Sequence, residues 1–419
     1  MKKNVWIFNH YASDMYENQG GRHFKFAENL LKKGFSPIVF CANTFHSKDG
    51  AINTHNKKCT VDTAKDIPFV FIKTALYKGN GFDRVKNMVT FYKNLFPTAK
   101  YYAENYCKPD IILASSVHPL TLVAGIRIAK KFHVPCICEI RDLWPEAIFA
   151  LGKIRENSLI GKLLECGERW IYEKANSLIF TKEGDVDHIK EKKWDKEQGG
   201  KIDLSRCFYI NNGVDIESFD EQVERVRLED DDLERKDSFN VVYAGAIRLV
   251  NNVGNLLECA KLLKNYTNIK FLIYGDGTEL GTLRRRQMEE HIDNAVFKGC
   301  VDKKYIPYIL SKSSLNILNY SENMFVCSRG NSSNKLFEYM ASEKPVISTL
   351  KWGYSIIEKY DCGIELEDSS PEVLAEAILK IYNMPESEYD RMGTNAKNGV
   401  KNFDFAVLTN KLIEVIDKI

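Results

Sequence analysis

The sequence predicts an α/β protein of two consecutive domains, each built around a parallel β-sheet. Short apolar runs alternate with amphipathic stretches along the whole chain, as strands alternate with crossover helices in parallel sheets. A charged stretch poor in apolar residues, from about 217 to 238, interrupts the alternation, which then restarts. The length of 419 residues agrees with two or three domains of ~150 residues each.

The chain opens with a β-α-β unit. An apolar run over 5–8 leads to a loop that holds Gly20 and Gly21, and residues 22–33 carry apolar side chains at helical spacing before Gly34 ends the helix. The other strand-like runs of this part are P-I-V-F-C, F-V-F-I, D-I-I-L-A, V-P-C-I-C-E-I, S-L-I-F and C-F-Y-I. Parallel strands joined by crossover helices are therefore expected.

The same alternation after the charged stretch defines a second domain, with the runs N-V-V-Y-A-G, K-F-L-I-Y-G, N-A-V-F-K-G, L-N-I-L-N and K-P-V-I-S. We predict a Rossmann-like domain over 1–216, a charged linker over 217–238, a second Rossmann-like domain over 239–404 and a closing helix over 405–419. Two such domains facing a cleft suit a ligand that carries a nucleotide, because parallel sheets bind ligands at the carboxyl ends of their strands.

Composition is that of a soluble globular protein. Hydrophobic residues make up 44% and charged residues 28% of the chain, which excludes disordered, collagen-like and small disulfide-rich proteins. No apolar run approaches the ~18 residues of a membrane span, and the first residues lack the apolar region of a signal peptide. The 11 cysteines include no C-x-x-C pair, so we expect reduced thiols and a cytoplasmic location.

Positive charge is concentrated at the start of the chain. Residues 1–100 carry 16 Lys and Arg against 7 Asp and Glu, although the whole chain has a net charge of only +2. Either an acidic ligand or surface, or a solvated basic face, explains this asymmetry. The basic excess is too small to indicate nucleic-acid binding.

Residues 84–106 show a basic, aromatic-rich amphipathic pattern. The pattern predicts a helix that either makes a peripheral contact with the inner face of the cell membrane or packs its apolar stripe into the domain core. Pro97 is expected to break or kink this helix, because proline removes a backbone hydrogen bond.

The most informative segment for function is 327–348, C-S-R-G-N-S-S-N-K-L-F-E-Y-M-A-S-E-K-P-V-I-S. Residues 332–334 are of helix-capping types, and the amino end of the helix that follows can hold a diphosphate on its N–H groups. Lys335 lies in the first turn, where the helix dipole disfavours a cation unless an anion docks beside it. Glu338 is placed one turn later to accept from ribose hydroxyls, or it is simply solvated.

Glycines mark the ends of two strands in the second domain. Gly245 would let a backbone approach a ligand, and Arg248 lies three residues on, where a guanidinium can meet a phosphate. Gly275 and Gly277 indicate a tight turn. The chain has neither G-x-G-x-x-G after its first strand nor G-x-x-x-x-G-K-[ST], which argues against a dehydrogenase and a P-loop enzyme.

In the first domain, Gly20 and Gly21 open the first helix and would face the same phosphates. His118 follows a strand, where it either points into the cleft or is a satisfied structural histidine. Arg141 and Asp142 also follow a strand and either pair with each other or contact an acceptor. No metal-binding motif is present in the sequence.

Seven motifs, in order along nearly the whole chain, resemble the family-4 retaining glycosyltransferases of the GT-B fold. They are G-G-R-H-F, S-S-V-H-P-L, E-I-R-D-L-W-P-E, I-N-N-G-V-D, Y-A-G-A-I, Y-G-D-G-T-E-L and S-N-K-L-F-E-Y-M-A-S-E-K-P-V-I. The likeness is to the branch that acts in bacterial surface-polysaccharide assembly, such as capsule, O-antigen or exopolysaccharide.

The resemblance implies a GT-B fold, with two Rossmann-like parallel-sheet domains facing a central cleft. It assigns the nucleotide-sugar donor to the domain over 239–404 and the acceptor to the domain over 1–216, and it implies that the helix over 405–419 packs back on the latter. The implied reaction transfers a sugar, with retention, from a UDP-sugar or related donor to a hydroxyl of a saccharide or lipid-linked saccharide. No cofactor and no metal are expected.

The resemblance also assigns roles to residues. Glu338 would bind the ribose, and His118 would lie near the transferred sugar. The expected catalytic residues are His118, Arg248 and Lys335; the expected acceptor-side residues are Arg141 and Asp142; and the expected donor-binding residues are Gly20, Gly21, Gly245, Gly275, Gly299, Val301, Gly330, Asn331, Ser332, Ser333, Asn334 and Glu338.

The sequence departs from the family pattern at three positions. Gly330 stands where the family has the first acid of its E-x7-E motif, and Ala246 and Asn251 stand where many members have Arg and Lys. We infer that Arg248 and Lys335 supply the missing diphosphate charge. Two alternatives remain open at this stage: a nucleotide-sugar epimerase of the same fold, and a catalytically degenerate scaffold that binds a nucleotide sugar.

Overall fold

The computed structural model describes residues 2–46, 48–77, 79, 81–116, 118–150, 152–235, 237–321 and 327–419. The chain divides into two compact units. The first unit consists of Met1–Asn211 and Phe405–Ile419, and the second unit consists of Asn212–Asp404. Each unit has its own β-sheet with a hydrophobic cluster on either face.

The first unit contains an eight-stranded sheet in the order β3-β4-β2-β1-β5-β6-β7-β8. Its strands are β1 (Asn4–Phe8), β2 (Ser36–Ala42), β3 (Cys59–Ala64), β4 (Ile67–Ile72), β5 (Ile111–Ser115), β6 (Cys136–Ile140), β7 (Ser177–Phe180) and β8 (Cys207–Tyr209). Neighbouring strands pair in parallel except at the edge, where β3 runs antiparallel to β4. The polar-rich β3 lies outside the strands that the apolar runs predict.

Helices cover both faces of this sheet. They are α1 (Ser13–Asn18), α2 (Arg22–Lys32), α3 (Phe82–Asn105), α4 (Pro119–Phe132), α5 (Glu146–Ala150), α6 (Leu159–Lys174), α7 (Asp185–Glu191) and, at the end of the chain, α17 (Phe405–Asp417). Alternate residues of β1 point to opposite faces: Trp6 and Phe8 join the cluster under α3 and α4, whereas Val5 and Ile7 join the cluster under α2 and α17. The closing helix thus belongs to the first unit.

The second unit contains a six-stranded, all-parallel sheet in the order β11-β10-β9-β12-β13-β14. Its strands are β9 (Phe239–Ala244), β10 (Ile269–Tyr274), β11 (Ala295–Gly299), β12 (Leu315–Leu318), β13 (Val346–Ser348) and β14 (Gly363–Glu365). Its helices are α8 (Ile216–Arg225), α9 (Asp231–Glu234), α10 (Val253–Leu262), α11 (Leu280–Glu289), α12 (Ile306–Ser311), α13 (Asn334–Ala341), α14 (Ile356–Tyr360), α15 (Pro371–Tyr382) and α16 (Glu386–Val400).

The charged stretch over 217–238 differs from the expected linker, because in its described residues it folds into the second unit as α8 and α9. Phe219 and Leu233 are buried in the core of that unit. The acidic run is held by Lys298, whose Nζ lies 2.6 Å from a carboxylate oxygen of both Asp230 and Asp232. The acidic side chains of this stretch therefore form ion pairs within the second unit. A linker predicted from composition alone does not anticipate these tertiary contacts.

Helix α3 rules out one of the two expectations for Pro97, a break in the helix. Pro97 lies inside the helix, which continues to Asn105 instead of ending there. The turns on both sides are buried in the core through Phe91, Leu95 and Tyr102, and this packing offsets the hydrogen bond that proline removes. Within the apolar stripe of 84–106, Leu95 and Ala99 are buried in the core, whereas Val85 is exposed. Packing into the core therefore accounts for the middle of the stripe, and a membrane contact stays a prediction.

Candidate functional site

Three glycines of the second unit meet at the carboxyl ends of β9, β10 and β11. Gly245 N donates to the carbonyl of Tyr274 (2.9 Å), and Gly275 N donates to the carbonyl of Gly299 (2.8 Å). Gly275 has a φ of +143°, and a Cβ atom there would lie 1.8 Å from the carbonyl oxygen of Gly245. Only glycine fits this crossing of loops, so the expected glycines lie at one edge of the sheet.

Lys335, in the first turn of α13, lies beside this edge. A Cβ atom built on Gly245 would be 3.0 Å from Lys335 Cδ and 3.3 Å from Lys335 Nζ. The ammonium lies over two aromatic rings, 4.8 Å from the ring centre of Tyr243 and 4.9 Å from that of Tyr320. Within the described chain, Lys335 forms no ion pair, and burial lowers its pKa to about 8.

The loop before α13 leaves the amino end of the helix without a side-chain cap. Gly330 has a φ of +102°, and the buried Asn331 accepts from Ser333 N through Oδ1 (2.7 Å). Ser332 accepts from Asn212 Nδ2 through its carbonyl (2.7 Å). Ser333 occupies the N-cap position, yet its side chain makes no capping hydrogen bond, contrary to the expectation from residue type. Asn334 is the exposed first residue of the helix.

The remaining predicted donor-side residues surround this region. Glu338 is part-buried, one turn along α13 from Lys335, and its Oε1 lies 3.4 Å from Lys303 Nζ. Val301 packs at the edge of the core just after β11. Arg248 is exposed at the start of a 3₁₀ turn after β9. No contact between Arg248 and Lys335 appears in the described part of the chain.

His118 lies at the carboxyl end of β5, at the N-cap of α4, and it is almost fully buried. Its Nε2 is 2.6 Å from Nδ1 of His10, and Nε2 of His10 is 2.6 Å from Oδ1 of Asn87. His118 Nδ1 is buried and has no hydrogen-bond partner among the described residues. The unpartnered Nδ1 contradicts the prediction of a fully satisfied structural histidine, and the position of His118 in a cleft stays a prediction.

A buried ionic cluster lies beneath the same edge of the first sheet. Glu139 accepts from Arg22 Nε (2.8 Å), His23 Nε2 (2.9 Å) and Ser115 Oγ (2.7 Å). Although burial raises the pKa of a carboxyl group, Arg22 and His23 hold the pKa of Glu139 well below its usual range. This cluster fixes the start of α2 against β5 and β6.

The G-G loop precedes the second helix of the chain, since the short α1 comes before it. Gly21 has a φ of +87° and is the N-cap of α2, while Gly20 N donates to the carbonyl of Met15 (3.2 Å). Arg141, after β6, donates its N–H to Ser116 Oγ (2.9 Å). The pairing of Arg141 with Asp142 is not what the structure has, because Asp142 Oδ1 lies 3.3 Å from Lys182 Nζ.

An apolar cavity of about 210 Å³ lies in the first unit between α4, the end of β6 and α6. Ser116 and Pro119, which flank His118 in sequence, line it together with Asp142. Leu163 also lines the cavity and is 71% exposed, next to the exposed Leu159 and Ile160 on the same helix. The cavity and this exposed apolar face are therefore continuous.

Among the residues that the structure describes, no group of three or more His, Cys, Asp or Glu side chains is placed to hold a metal ion. No helix in the described ranges is long and apolar enough to cross a membrane.

Sequence reasoning missed the residues that surround the two central side chains. Tyr243 is far from Lys335 in sequence, and Tyr320 belongs to a different element from Lys335. Only the position of Tyr243 near the end of a strand hinted at a role. His10 offered a clearer signal, because it follows β1 directly and β1 pairs with β5. Asn87 lies on a helix and carries no such signal.

Comparison with known proteins places this geometry in a family context. Residues 226–399 match the family model described as glycosyl transferases group 1. The probable glycosyltransferase WbjE of Pseudomonas aeruginosa is 21% identical over 281 residues, and the alignment covers 66% of this chain and 66% of that protein, about two thirds of its length.

Solved structures are similar over nearly the whole chain. The Anabaena protein HepE in complex with UDP has a TM-score of 0.68 at 14% identity, with 100% of each chain covered. WaaG, a glycosyltransferase involved in lipopolysaccharide biosynthesis, has a TM-score of 0.65 at 13% identity, with 98% of this chain and 99% of that chain covered. These similarities show the fold, and the two Rossmann-like parallel-sheet domains of this chain form the GT-B fold that the sequence predicts.

Proposed function

We propose that this GT-B protein, whose residues 226–399 match the group 1 glycosyl transferases, transfers a sugar from a nucleoside-diphosphate sugar to a hydroxyl acceptor. We further propose that the donor is a UDP-sugar, that the anomeric configuration is retained, and that the acceptor is a lipid-linked saccharide of bacterial surface-polysaccharide assembly. The similar proteins HepE, bound to UDP, and WaaG, which acts in lipopolysaccharide biosynthesis, support these choices.

The observation that carries the proposal is the position of Lys335. A lysine at the amino end of a helix, part-buried against two tyrosines and without an ion pair in the described chain, is unfavourable unless an anion binds there. A diphosphate supplies that anion. Its charge would meet the ammonium, the N–H groups at the start of α13 and the close backbone at Gly245.

We place the rest of the donor site at the same edge of the second sheet, near the carboxyl ends of its strands. We assign residues 330–334 to the diphosphate, with Arg248 as a second cation, and Glu338 to the ribose hydroxyls. Glu338 would exchange its exposed partner Lys303 for these hydroxyls. Gly299 and Val301, at the end of β11, would border the base.

The acceptor proposal rests on the apolar cavity of the first unit. Its walls suit a hydrocarbon segment, and the exposed face formed by Leu159, Ile160 and Leu163 extends the apolar surface outward. Arg141 and Asp142 lie next to it and would contact the polar part of an acceptor. An acceptor with a saccharide head and an alkyl or isoprenoid chain fits both features, and it implies work at a membrane surface.

The proposed sugar transfer requires that donor and acceptor are held in position and that the negative charge of the leaving diphosphate is stabilised. In this proposal Lys335, Arg248 and the helix dipole provide that stabilisation, and no metal ion is required. Sugar transfer should therefore persist in the presence of EDTA.

Donor binding is tested by thermal shift of the purified protein with UDP-, GDP-, ADP-, CMP- and dTDP-linked ligands. A nucleotide at ~100 times its dissociation constant adds roughly 2.7 kcal/mol of stability. The shift with UDP ligands should shrink in Glu338→Ala and persist in Lys380→Ala, an exposed helical control. The absence of a shift with every nucleotide would contradict the donor assignment.

Acceptor use is tested by transfer of labelled sugar to one saccharide in two forms, free and attached to a short isoprenoid chain. Leu163→Glu should raise KM for the lipid-linked form and leave the free saccharide unaffected, whereas Leu262→Glu, an exposed leucine of the second unit, should change neither. The NMR coupling at the anomeric carbon of the product reports retention. A new nucleotide sugar formed without acceptor would instead indicate an epimerase, and binding without turnover would indicate a scaffold.

A further inference from the structure

We infer that His10 and Asn87 are positioning residues that hold His118 in the tautomer with a proton on Nε2 and a bare lone pair on Nδ1. The inference rests on the proposed function for one point only, namely that the substrate group is a sugar hydroxyl. Three side chains from separate elements carry it: His10 after β1, Asn87 on α3 and His118 before α4.

The orientation of the Asn87 amide decides which atoms donate and which accept in the hydrogen bonds that link Asn87, His10 and His118. Its Nδ2 donates to the carbonyl of Ala75 and also lies 3.1 Å from Thr44 Oγ1 and 3.0 Å from Thr74 Oγ1. Because a carbonyl only accepts, this nitrogen must face Ala75, and Asn87 Oδ1 therefore faces His10. An amide oxygen only accepts as well, so Nε2 of His10 carries a proton and donates to it over 2.6 Å.

His10 must then accept from His118. Burial lowers the pKa of His10 well below its usual value, and nearby His118, Arg84 and His46 lower it further. Its ring is therefore neutral, with one proton on Nε2 and a lone pair on Nδ1. His118 Nε2, 2.6 Å away, is the donor to that lone pair.

The same reasoning leaves Nδ1 of His118 unprotonated. Burial, with a smaller contribution from Arg84, lowers the pKa of His118 to about 3. Tyr11 also packs against His10, with ring centres 4.7 Å apart. Arg84 is a charged neighbour of both histidines, and among the described residues no acidic side chain hydrogen-bonds to either ring.

Packing fixes the geometry as well as the protonation. The ring of His10 stacks on Phe91 with centres 4.4 Å apart and 16° between the planes, and it meets His118 nearly perpendicularly at 86°. His10 therefore has little freedom to rotate and to offer a different nitrogen. The hydrogen bonds that link Asn87, His10 and His118 orient the ring of His118. A hydrogen bond to the other ring nitrogen orients metal-ligating and catalytic histidines in the same way.

The unpartnered Nδ1 of His118 selects for ligand groups that donate a hydrogen bond. A buried acceptor without a partner costs folding free energy, which a ligand recovers when it donates a hydrogen bond. A hydroxyl or an amide N–H can donate a hydrogen bond to Nδ1 of His118. A carboxylate or phosphate oxygen cannot, because its lone pair would face the lone pair of this nitrogen. The group that suits His118 Nδ1 is therefore a donor, either a hydroxyl or an amide N–H of the proposed sugar, and a charged uronate group does not suit it.

The first test measures the tautomer directly and needs no substrate. In protein labelled with ¹⁵N-histidine, the signals of the eight histidines are assigned by substitution, and His118 should show a protonated Nε2 and a bare Nδ1 from pH 5.5 to 8. In His10→Phe, which keeps the ring stacked on Phe91, His118 should become a mixture of tautomers. A protonated Nδ1 in the wild type, or titration of His118 near pH 6.5, would overturn the inference.

The second test uses sugar transfer. His10→Phe and Asn87→Leu should lower kcat/KM about tenfold, and the loss should accompany the mixture of His118 tautomers seen by NMR. His133→Asn, at an exposed left-handed position, is the control. Wild-type kcat/KM in His10→Phe, despite a mixture of tautomers, would contradict the positioning role.

The two tests separate the two claims. If the NMR signature is as expected but no nucleotide sugar is transferred, the proposed function fails and the tautomer assignment stands. If transfer occurs but His118 carries its proton on Nδ1, the inference fails and the proposed function stands.

Discussion

The side chain of Lys335 lies directly against the backbone of Gly245, so that a Cβ atom at Gly245 would come 3.0 Å from Lys335 Cδ. The two residues are far apart in sequence and come from a helix start and a strand end. The absence of a side chain at Gly245 is what lets the lysine approach the glycine crossing at Gly275. The donor site that we propose is built on this contact.

Gly245→Ala should therefore weaken nucleotide binding without unfolding the protein. The new methyl group must displace the flexible lysine chain, and the ammonium would leave its position over the two tyrosines. We expect a roughly tenfold rise in the dissociation constant for UDP, about 1.4 kcal/mol, measured by isothermal titration calorimetry. Gly281→Ala is the matched control, since a Cβ there meets nothing within 4 Å; an equal loss in both variants would refute the steric argument.

Lys335→Ala should lower turnover by about 10²-fold or more, because a preorganised cation that meets the leaving group stabilises the transition state. Initial rates at saturating donor and acceptor measure this effect. Lys380→Ala should retain full turnover. Near-wild-type turnover in Lys335→Ala would show that the diphosphate charge is met elsewhere, for example by Arg248.

The pKa of Lys335 also predicts how stability depends on pH. Burial lowers the pKa in the folded state to about 8 from 10.5, so between these values the unfolded chain binds more protons and stability rises with pH. Lys335→Met removes this dependence. The variant should be more stable than the wild type at pH 7, and the difference should shrink towards pH 10.5.

Urea denaturation of both proteins at pH 7, 8.5 and 10 measures this difference. Lys380→Met, at an exposed position, should show no such trend. A constant difference between Lys335→Met and wild type across this range would mean that the ammonium is well solvated in the folded state.

The sequence predicts the strands and the glycines because both are local signals. The apolar runs become β1 and β9 through β13, and Gly245 and Gly275 stand where each strand ends. The companions of the site residues depend on tertiary structure. Tyr243 and Tyr320 reach Lys335, and the polar edge strand β3 forms, only once the sheets have assembled.

The same reason explains the errors. The acidic run at 230–232 resembles a solvated linker until Lys298 is brought beside it by β11. Pro97 resembles a helix breaker until the packing of both flanking turns is known. In both cases the local structure depends on residues that are distant in sequence. Neither composition nor periodicity identifies such residues.

The last prediction concerns the buried cluster under the first sheet. Glu139→Gln leaves the buried guanidinium of Arg22 without its counter-charge, and removal of one partner of a buried ion pair costs about 3–5 kcal/mol. Urea denaturation at pH 7 should show a loss of this size. Glu197→Gln, on an exposed 3₁₀ turn, should change stability little.

The loss should also depend on pH. The folded-state pKa of Glu139 lies well below 4.5 because Arg22 and His23 oppose the effect of burial, so its contribution to stability is complete above pH 4.5 and declines as the pH falls through the folded-state pKa. The gap between wild type and Glu139→Gln should therefore narrow in acid. A gap that stays constant from pH 7 to pH 3 would mean that the carboxylate is not what the cluster depends on, and that the packing of α2 against β5 and β6 carries the stability instead.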